Sequence, residues 1–255
     1  MIRFENVTKR LGTRNVLDGL NLQVERGETF VICGPSGMGK SVTLKHMIRL
    51  LTPDRGRVMV GEDCVSESRG RELERIRSRF GMLFQSGALL QWLSVADNVA
   101  LPLREHTSKS EEEIDRLVRE KLRMVGLEEA YDKNPDDLSG GMRKRVALAR
   151  AIITEPEIIL YDEPTSGLDP VTSRTIDKLI DNLRRELQVT SVVVTHDLHS
   201  ALAIGTRIAM LYNGKVVEVD TPENFIKSDN EVVRGFLEAQ YITRRGEWEE
   251  DKVPE

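Results

Sequence analysis

Apolar and polar positions follow three patterns along this chain. Thr29-Phe30-Val31-Ile32-Cys33 is an unbroken, largely apolar run ending at Gly34, the pattern of a strand buried on both faces of a parallel sheet. From Gly39 to Leu51 the apolar residues Val42, Leu44, Met47, Ile48 and Leu51 recur at helical spacing, and Pro53 is expected to stop that helix. The first unit therefore reads strand, glycine-rich loop, helix, after short β-rich runs broken by Gly and Pro.

The pattern changes over residues 86–154. Ser94 is placed to cap one short helix, and Ser110 with Glu113 reads as a capping box for another. Ile114, Leu117, Val118, Leu122 and Val125 make the second helix amphipathic. Strand-like composition returns at Glu155–Asp162 and Thr190–Thr195, on either side of a helix whose apolar face is Ile176, Leu179, Ile180, Leu183 and Leu187. Strands alternating with helices predict an α/β fold, a mainly parallel sheet covered on both faces. The expected organisation is a discontinuous core, 1–85 and 155–227, with a helical subdomain at 86–154 inserted into it. Residues 228–255 read as an added element: an amphipathic helix marked by Val232, Val233, Phe236, Leu237 and Tyr241, then an acidic tail.

Composition narrows the function classes. The 255 residues carry 42 acidic and 37 basic side chains, a net charge of −5, so general attraction to nucleic acid is absent and binding would need a local basic patch. Arg69, Arg71, Arg75, Arg77 and Arg79 cluster, but Glu72 and Glu74 interleave with them, as on a solvated helix face. No nucleic-acid partner is expected. Two cysteines, Cys33 and Cys64, lack CxxC spacing and fit a reducing compartment. No uncharged apolar run approaches the roughly 18 residues that span a bilayer.

Two segments carry chemistry. Gly34-Pro35-Ser36-Gly37-Met38-Gly39-Lys40-Ser41 reads G-x-x-x-x-G-K-S, between a buried strand and a helix. Its glycines let successive N–H groups face the α- and β-phosphates at a positive helix terminus; Lys40 would reach the β- and γ-phosphates and Ser41 would hold magnesium. A P-loop needs a second metal ligand, and Ile158-Ile159-Leu160-Tyr161 ends in Asp162-Glu163 at a strand's carboxyl end. Asp162 would complete the magnesium shell and Glu163 would polarise the attacking water.

Further motifs carry a resemblance. Leu138-Ser139-Gly140-Gly141-Met142, followed by Arg143-Lys144-Arg145, resembles the signature of ATP-binding cassette (ABC) ATPases. Asp162-Glu163-Pro164-Thr165-Ser166-Gly167-Leu168-Asp169-Pro170 resembles their Walker B strand and D-loop. Gln85 stands at the Q-loop position and His196, after Val192-Val193-Val194-Thr195, at that of the switch histidine. The resemblance covers residues 2 to about 225. It implies a P-loop NTPase fold of RecA-like type, with an N-terminal antiparallel β-subdomain and a helical signature subdomain. It also implies a homodimer enclosing two ATP molecules with Mg2+. In that arrangement Ser139, Gly140 and Gly141 meet the γ-phosphate held by the opposite subunit. Gln85 senses magnesium and γ-phosphate, His196 hydrogen-bonds the γ-phosphate, and Asp169 stabilises the dimer contact.

Two departures stand out. Family members commonly stack an aromatic on adenine near residue 11, where this chain has Leu11-Gly12, which predicts weaker base recognition. The signature ends in Met142 where Gln is usual. The phrases Leu83-Phe84-Gln85-Ser86-Gly87-Ala88-Leu89 and Asp97-Asn98-Val99-Ala100-Leu101-Pro102-Leu103-Arg104-Glu105-His106-Thr107, together with the Met-ended signature, are similar to the ATPases of Mla-type, MCE-associated lipid transporters. That implies a peripheral subunit on the cytoplasmic face of an inner membrane, driving a permease dimer joined to an MCE-type substrate-binding protein, with phospholipid or a related lipid as cargo. Leu89, Leu90, Trp92 and Leu93 would then face the permease or the domain's own core, and Tyr241 and Trp248 would anchor the tail on a neighbour, such as a small regulatory protein, or on its own domain. The rival readings are a non-transport ABC ATPase of the iron–sulfur-assembly type and a transporter ATPase for a non-lipid substrate.

Overall fold

The computed structural model describes residues 1–240 and 242; Tyr241, Trp248 and the acidic tail lie outside them. The chain opens with a hairpin, β1 (Ile2–Leu11) and β2 (Arg14–Val24), antiparallel, with Gly12 at φ 60° in the turn between them. Ile2 and Phe4 point inward while Arg3 and Glu5 point out, the period of a half-buried strand, and an irregularity at Asn6 (φ 50°) moves the next inward position to Val7. The buried β3 (Thr29–Cys33) leads through the glycine-rich loop into α1 (Lys40–Met47). This helix ends short of the expected Leu51. Arg49 takes a left-handed φ of 52°, and the N–H groups of Leu50 and Leu51 both fold back to the Lys45 carbonyl. The turn is closed by local hydrogen bonds before Pro53 is reached.

β4 (Arg55–Val60) returns to pair antiparallel with β1, and the short β5 (Asp63–Cys64) pairs with β4. Together they give a four-stranded antiparallel sheet in the order β2-β1-β4-β5. Then come α2 (Gly70–Arg77) and β6 (Phe80–Leu83). Three helices follow before the next strand: α3 (Val95–His106), α4 (Glu111–Met124) and α5 (Gly140–Ile152). Ser94, Ser110 and Ser139 each cap one of them by accepting the N–H three residues on. Of the expected capping box only the Ser110 half forms, because Glu113 pairs with Lys109 instead. The α5 helix also reaches the sheet: a Cβ on Gly81 of β6 would lie 2.1 Å from the Ala151 carbonyl oxygen, so only glycine lets the two backbones approach.

The remaining elements are β7 (Ile158–Asp162), α6 (Pro170–Leu187), β8 (Thr190–Thr195), α7 (Leu198–Ile204), β9 (Arg207–Tyr212), β10 (Lys215–Asp220), α8 (Pro222–Phe225) and α9 (Glu231–Glu238). The main sheet runs β10-β9-β3-β8-β7-β6, parallel except for the edge strand β10. Its strands separate two cores. Val31, Cys33, Ile159, Tyr161 and Val193 face one, shared with α3 to α7 and α9. Phe30, Ile32, Ile158, Leu160 and Val192 face the other, shared with α1, α2 and the antiparallel sheet. Every strand between the edges is therefore apolar on both faces, as its composition requires.

Register decides what meets at the carboxyl edge. Cys33 lies beside Thr195, Asp162 beside Val194, and Leu83 beside Tyr161. The residues that follow these strand ends, the P-loop, Glu163, His196 and Gln85, are thereby gathered at one rim, where open α/β sheets bind ligands.

Candidate functional site

The P-loop is shaped by its two outer glycines. Gly34 has φ 144°, and a Cβ there would lie 2.3 Å from the Leu211 carbonyl oxygen; Gly39 has φ 100°, and its Cβ would lie 2.8 Å from the Val16 carbonyl oxygen. No other residue type satisfies both the backbone and the space. Pro35, Ser36, Gly37 and Met38 form the loop crest, and Met38 Sδ accepts from the Asn213 N–H at 3.4 Å. Lys40 is buried; its ammonium donates to the Gly34 and Pro35 carbonyls at 2.8 and 3.1 Å and lies 3.5 Å from Glu163 Oε1. Ser41 Oγ donates to Asp162 Oδ1 at 2.6 Å. These two residues are the hard oxygen pair suited to magnesium, which takes one or two protein oxygens and completes its octahedron with phosphate and water. The exposed Gln85, at the end of β6, is the third residue expected there.

Glu163 occupies the centre of the rim. It is 8% exposed, and its backbone sits at φ 49°, left-handed for a residue with a side chain and costly by about 1–3 kcal/mol. Three neighbours hold it there: its N–H donates to the Val194 carbonyl at 2.9 Å, and its carbonyl accepts from Ser166 N–H and Lys144 Nζ, both at 3.2 Å. One carboxylate oxygen, Oε2, accepts from the His196 backbone N–H at 3.3 Å and pairs with His196 Nδ1 at 2.8 Å. With Glu163 as the acceptor, Nδ1 is the ring nitrogen that donates, and Nε2 faces away from the carboxylate.

Lys144 was visible in the sequence only as part of a basic run beside the signature. In the fold it is buried, and its ammonium binds the carbonyls of both Gln85 and Glu163. Burial pulls its pKa below the ordinary lysine value, an effect that the charges of Asp162 and Glu163 oppose. Two buried ammonium groups, Lys40 and Lys144, thus stand against two buried carboxylates. A helical spacing could have flagged Lys144, since it projects from the same face as the buried Gly141 and Leu148. Lys144→Met is expected to leave the Gln85 carbonyl without its Lys144 donor and the Glu163 carbonyl with the Ser166 N–H alone, lowering stability by about 1–3 kcal/mol. Turnover should fall about tenfold or more while ATP affinity changes less than about threefold; parallel titration calorimetry and steady-state ATPase assays measure both.

The signature residues do not join this cluster within the chain. Ser139 Oγ accepts from the Met142 N–H as the α5 cap. Gly141 packs on α6, where a Cβ would lie 2.4 Å from Thr172 Cγ2, and Gly140 faces Leu168, where it would lie 3.3 Å from Cδ2. Met142 is partly buried against the core. Asp169 caps α6, Oδ1 accepting from the Val171 and Thr172 N–H groups at 3.0 Å, and hydrogen bonding from the Thr172 side chain first, then from its N–H, lowers its pKa.

The segment after Gln85 is organised by Asn98, which is fully buried and has both polar atoms of its side chain hydrogen-bonded. Its Oδ1 accepts from Leu90 N–H, and its Nδ2 donates to the carbonyls of Leu90, Leu93 and Ser94. Arg150 ties down the same segment through the Gly87 and Ala88 carbonyls at 2.8 and 2.7 Å. The apolar set is split: Leu89 turns into the core while Trp92 is 78% exposed. Leu11, at the end of β1, is 44% exposed. Phe4, Cys33 and His46 are core residues, with His46 Nδ1 bonded to the Val42 carbonyl at 2.7 Å. Burial pushes the Cys33 thiol up to about 12. In the arginine cluster, Arg75 and Arg79 pair with Asp63, and Arg77 donates to the Ile48 and Arg49 carbonyls. Among the described residues no group of three or more His, Cys, Asp or Glu is arranged to hold a metal.

A parallel sheet with a P-loop at its centre, a Ser–Asp oxygen pair, a Glu–His pair and a helical signature segment between its strands defines a P-loop NTPase of ATP-binding-cassette type. The family model described as ABC transporter matches residues 17–166, and the chain belongs to that family as an ATP-hydrolysing cassette. It is 42% identical over 249 residues to the probable ribonucleotide transport ATP-binding protein mkl of Mycobacterium leprae, covering 98% of this chain and 72% of that protein. It is 41% identical over 239 residues to the intermembrane phospholipid transport system ATP-binding protein MlaF of Escherichia coli K12, covering 93% and 88%. MlaF of Haemophilus influenzae gives 41% over 240 residues, covering 94% and 91%. Among solved structures, an ATP-binding cassette crystallised as a dimer in a post-hydrolysis state with ADP and Pi superposes with a TM-score of 0.80 at 37% identity, covering 87% of this chain and 99% of the other.

Proposed function

We propose that this chain is the ATPase subunit of a lipid transporter of the Mla type, acting as a homodimer on the cytoplasmic face of an inner membrane. The observation that carries the chemistry is the convergence of P-loop, Walker B and switch histidine within hydrogen-bond reach: Ser41 to Asp162 at 2.6 Å and Glu163 to His196 at 2.8 Å. The P-loop N–H groups and Lys40 bind the phosphates of ATP, while Ser41, Asp162 and Gln85 hold Mg2+. Magnesium supplies charge neutralisation and orientation of the β- and γ-phosphate oxygens. Glu163 accepts a proton from a water whose oxygen bonds to the γ-phosphorus as the bond to the ADP oxygen breaks. His196, oriented by Glu163 through Nδ1, hydrogen-bonds the γ-phosphate with Nε2 when both ring nitrogens carry protons and donate.

The contacts of Ser139, Gly140 and Gly141 are to Met142, Leu168 and Thr172 rather than to the P-loop, and the α5 N-terminus is suited to an anion brought by a second copy. Dimer closure then completes the site, with Asp169 at the contact. The lipid reading is supported by the two MlaF relatives and by the phrases around Ala88 and Met142. The rigid 86–94 segment, with Trp92 at its surface, is the surface offered to a permease. No described helix is long and apolar enough to cross a membrane, so the transport path belongs to partner chains: a permease dimer, an MCE-type substrate-binding protein and a small regulatory protein.

The test is to tag the chain in its native cell, solubilise the membranes in mild detergent and identify what co-purifies. A polytopic permease with an MCE protein and phospholipid is the expected result. A permease carrying ribonucleotide would redirect the substrate, and recovery with soluble assembly factors alone would overturn the transport reading.

A further inference from the structure

We infer that Gln240 is a positioning residue for His196, making the C-terminal helix part of the device that sets the hydrolytic pair. The inference rests on the roles given above to Glu163 and His196. The Gln240 side chain spans the turn that carries His196: Nε2 donates to the His196 carbonyl at 2.8 Å, and Oε1 accepts from the Leu198 N–H at 2.9 Å. A neutral amide is suited to this, because it presents a donor and an acceptor side by side in one plane. The two groups it binds lie on either side of Asp197, 44 and 42 residues away in sequence.

The other polar groups of the turn are already committed. The His196 N–H donates to Glu163 Oε2 at 3.3 Å and the Asp197 N–H to Thr195 Oγ1 at 3.0 Å. Asp197 Oδ1 accepts from the N–H groups of His199 and Ser200, capping α7. The turn is therefore clamped by the catalytic carboxylate on one side and by Gln240 on the other. Packing holds only the Leu198 end of the turn: a cavity of about 640 Å³, lined by Thr165, Leu168, Arg174, Asp177, His196 and Gln240 among others, opens beside His196 and Asp197. Without the amide, the backbone at His196 and Asp197 borders open space and has room to shift.

Gln240 is itself firmly placed. Val233 and Leu237 of α9 are buried in the larger core together with Leu198 and Ala201 of α7, and the Gln240 N–H closes on the Leu237 carbonyl at 3.1 Å. The clamp thus follows directly on a packed helix and is tied to its last turn. Nothing in the local sequence marks Gln240, because its role exists only through contacts across the fold.

The experiment measures ATP hydrolysis by the assembled complex carrying full-length Gln240→Leu, Gln240→Glu, His196→Ala or Glu163→Gln. Gln240→Leu is expected to lower kcat about tenfold, with KM for ATP and nucleotide affinity within about twofold, since the P-loop is untouched. Gln240→Glu keeps the acceptor for Leu198 but turns a carboxylate toward the His196 carbonyl. Protonation restores a donor, so its kcat relative to wild type should rise as pH is lowered from about 7 towards the ordinary glutamate value of about 4.3. If His196→Ala and Glu163→Gln abolish turnover while both Gln240 variants match wild type, the positioning role is overturned and the site reading stands. A proportional loss of nucleotide affinity, or a flat pH ratio for Gln240→Glu, would equally overturn it, as marks of a merely structural residue. Turnover near wild type in His196→Ala and Glu163→Gln would instead overturn the reading of the site itself.

Discussion

Glu163→Gln is expected to retain ATP binding and to lose turnover by about a thousandfold or more. Glutamine preserves the shape of the side chain and an oxygen to accept from the His196 N–H, so the φ 49° backbone and its bonds to Val194, Ser166 and Lys144 remain as they are. What is lost is the carboxylate that takes the proton and the charge 3.5 Å from Lys40. Binding therefore survives while the chemical step does not, and ATP should hold two copies of the chain together. Single-turnover hydrolysis and size-exclusion chromatography with ATP test both halves. Turnover near wild type would remove Glu163 as the base.

Ser139→Arg should have an effect of similar size on hydrolysis by a different route. The substitution removes the Oγ that caps α5 at Met142, a cost of about 1 kcal/mol that leaves the fold intact. It also places a long cation at the helix N-terminus, where the proposal puts the partner's γ-phosphate contact. ATP affinity of the isolated chain should stay within about twofold, because none of the P-loop contacts of Lys40 or Ser41 involves Ser139. Hydrolysis and ATP-dependent dimerisation should both vanish. Loss of nucleotide binding by the monomer would show the trans arrangement to be wrong.

The two variants differ in what they separate. Glu163→Gln isolates chemistry within a rim that one chain builds alone, and Ser139→Arg isolates what a second chain supplies. Combined in one chain, Ser139→Arg should prevent the ATP-held dimer that Glu163→Gln alone accumulates.

The sequence by itself determined the parallel sheet and the chemical identity of the rim. Strands buried on both faces must be apolar throughout, so Thr29–Cys33 and Thr190–Thr195 announce themselves, as does β7, which starts at Ile158 rather than at the expected Glu155, and the P-loop glycines follow from a backbone that only glycine can adopt. Local rules erred where local hydrogen bonds intervened: α1 ended at Met47 because Arg49 turned left-handed, ahead of the proline that composition made the obvious stop. Tertiary structure alone decided the rest. The pairing of Asp162 with Val194 and of Cys33 with Thr195 set which residues share the rim. Lys144 became a bridge between Gln85 and Glu163, and Gln240 a clamp on His196, because folding brought residues dozens of positions apart within hydrogen-bond distance. Periodicity reports which face a residue occupies; it carries no information about which distant carbonyl that face will meet.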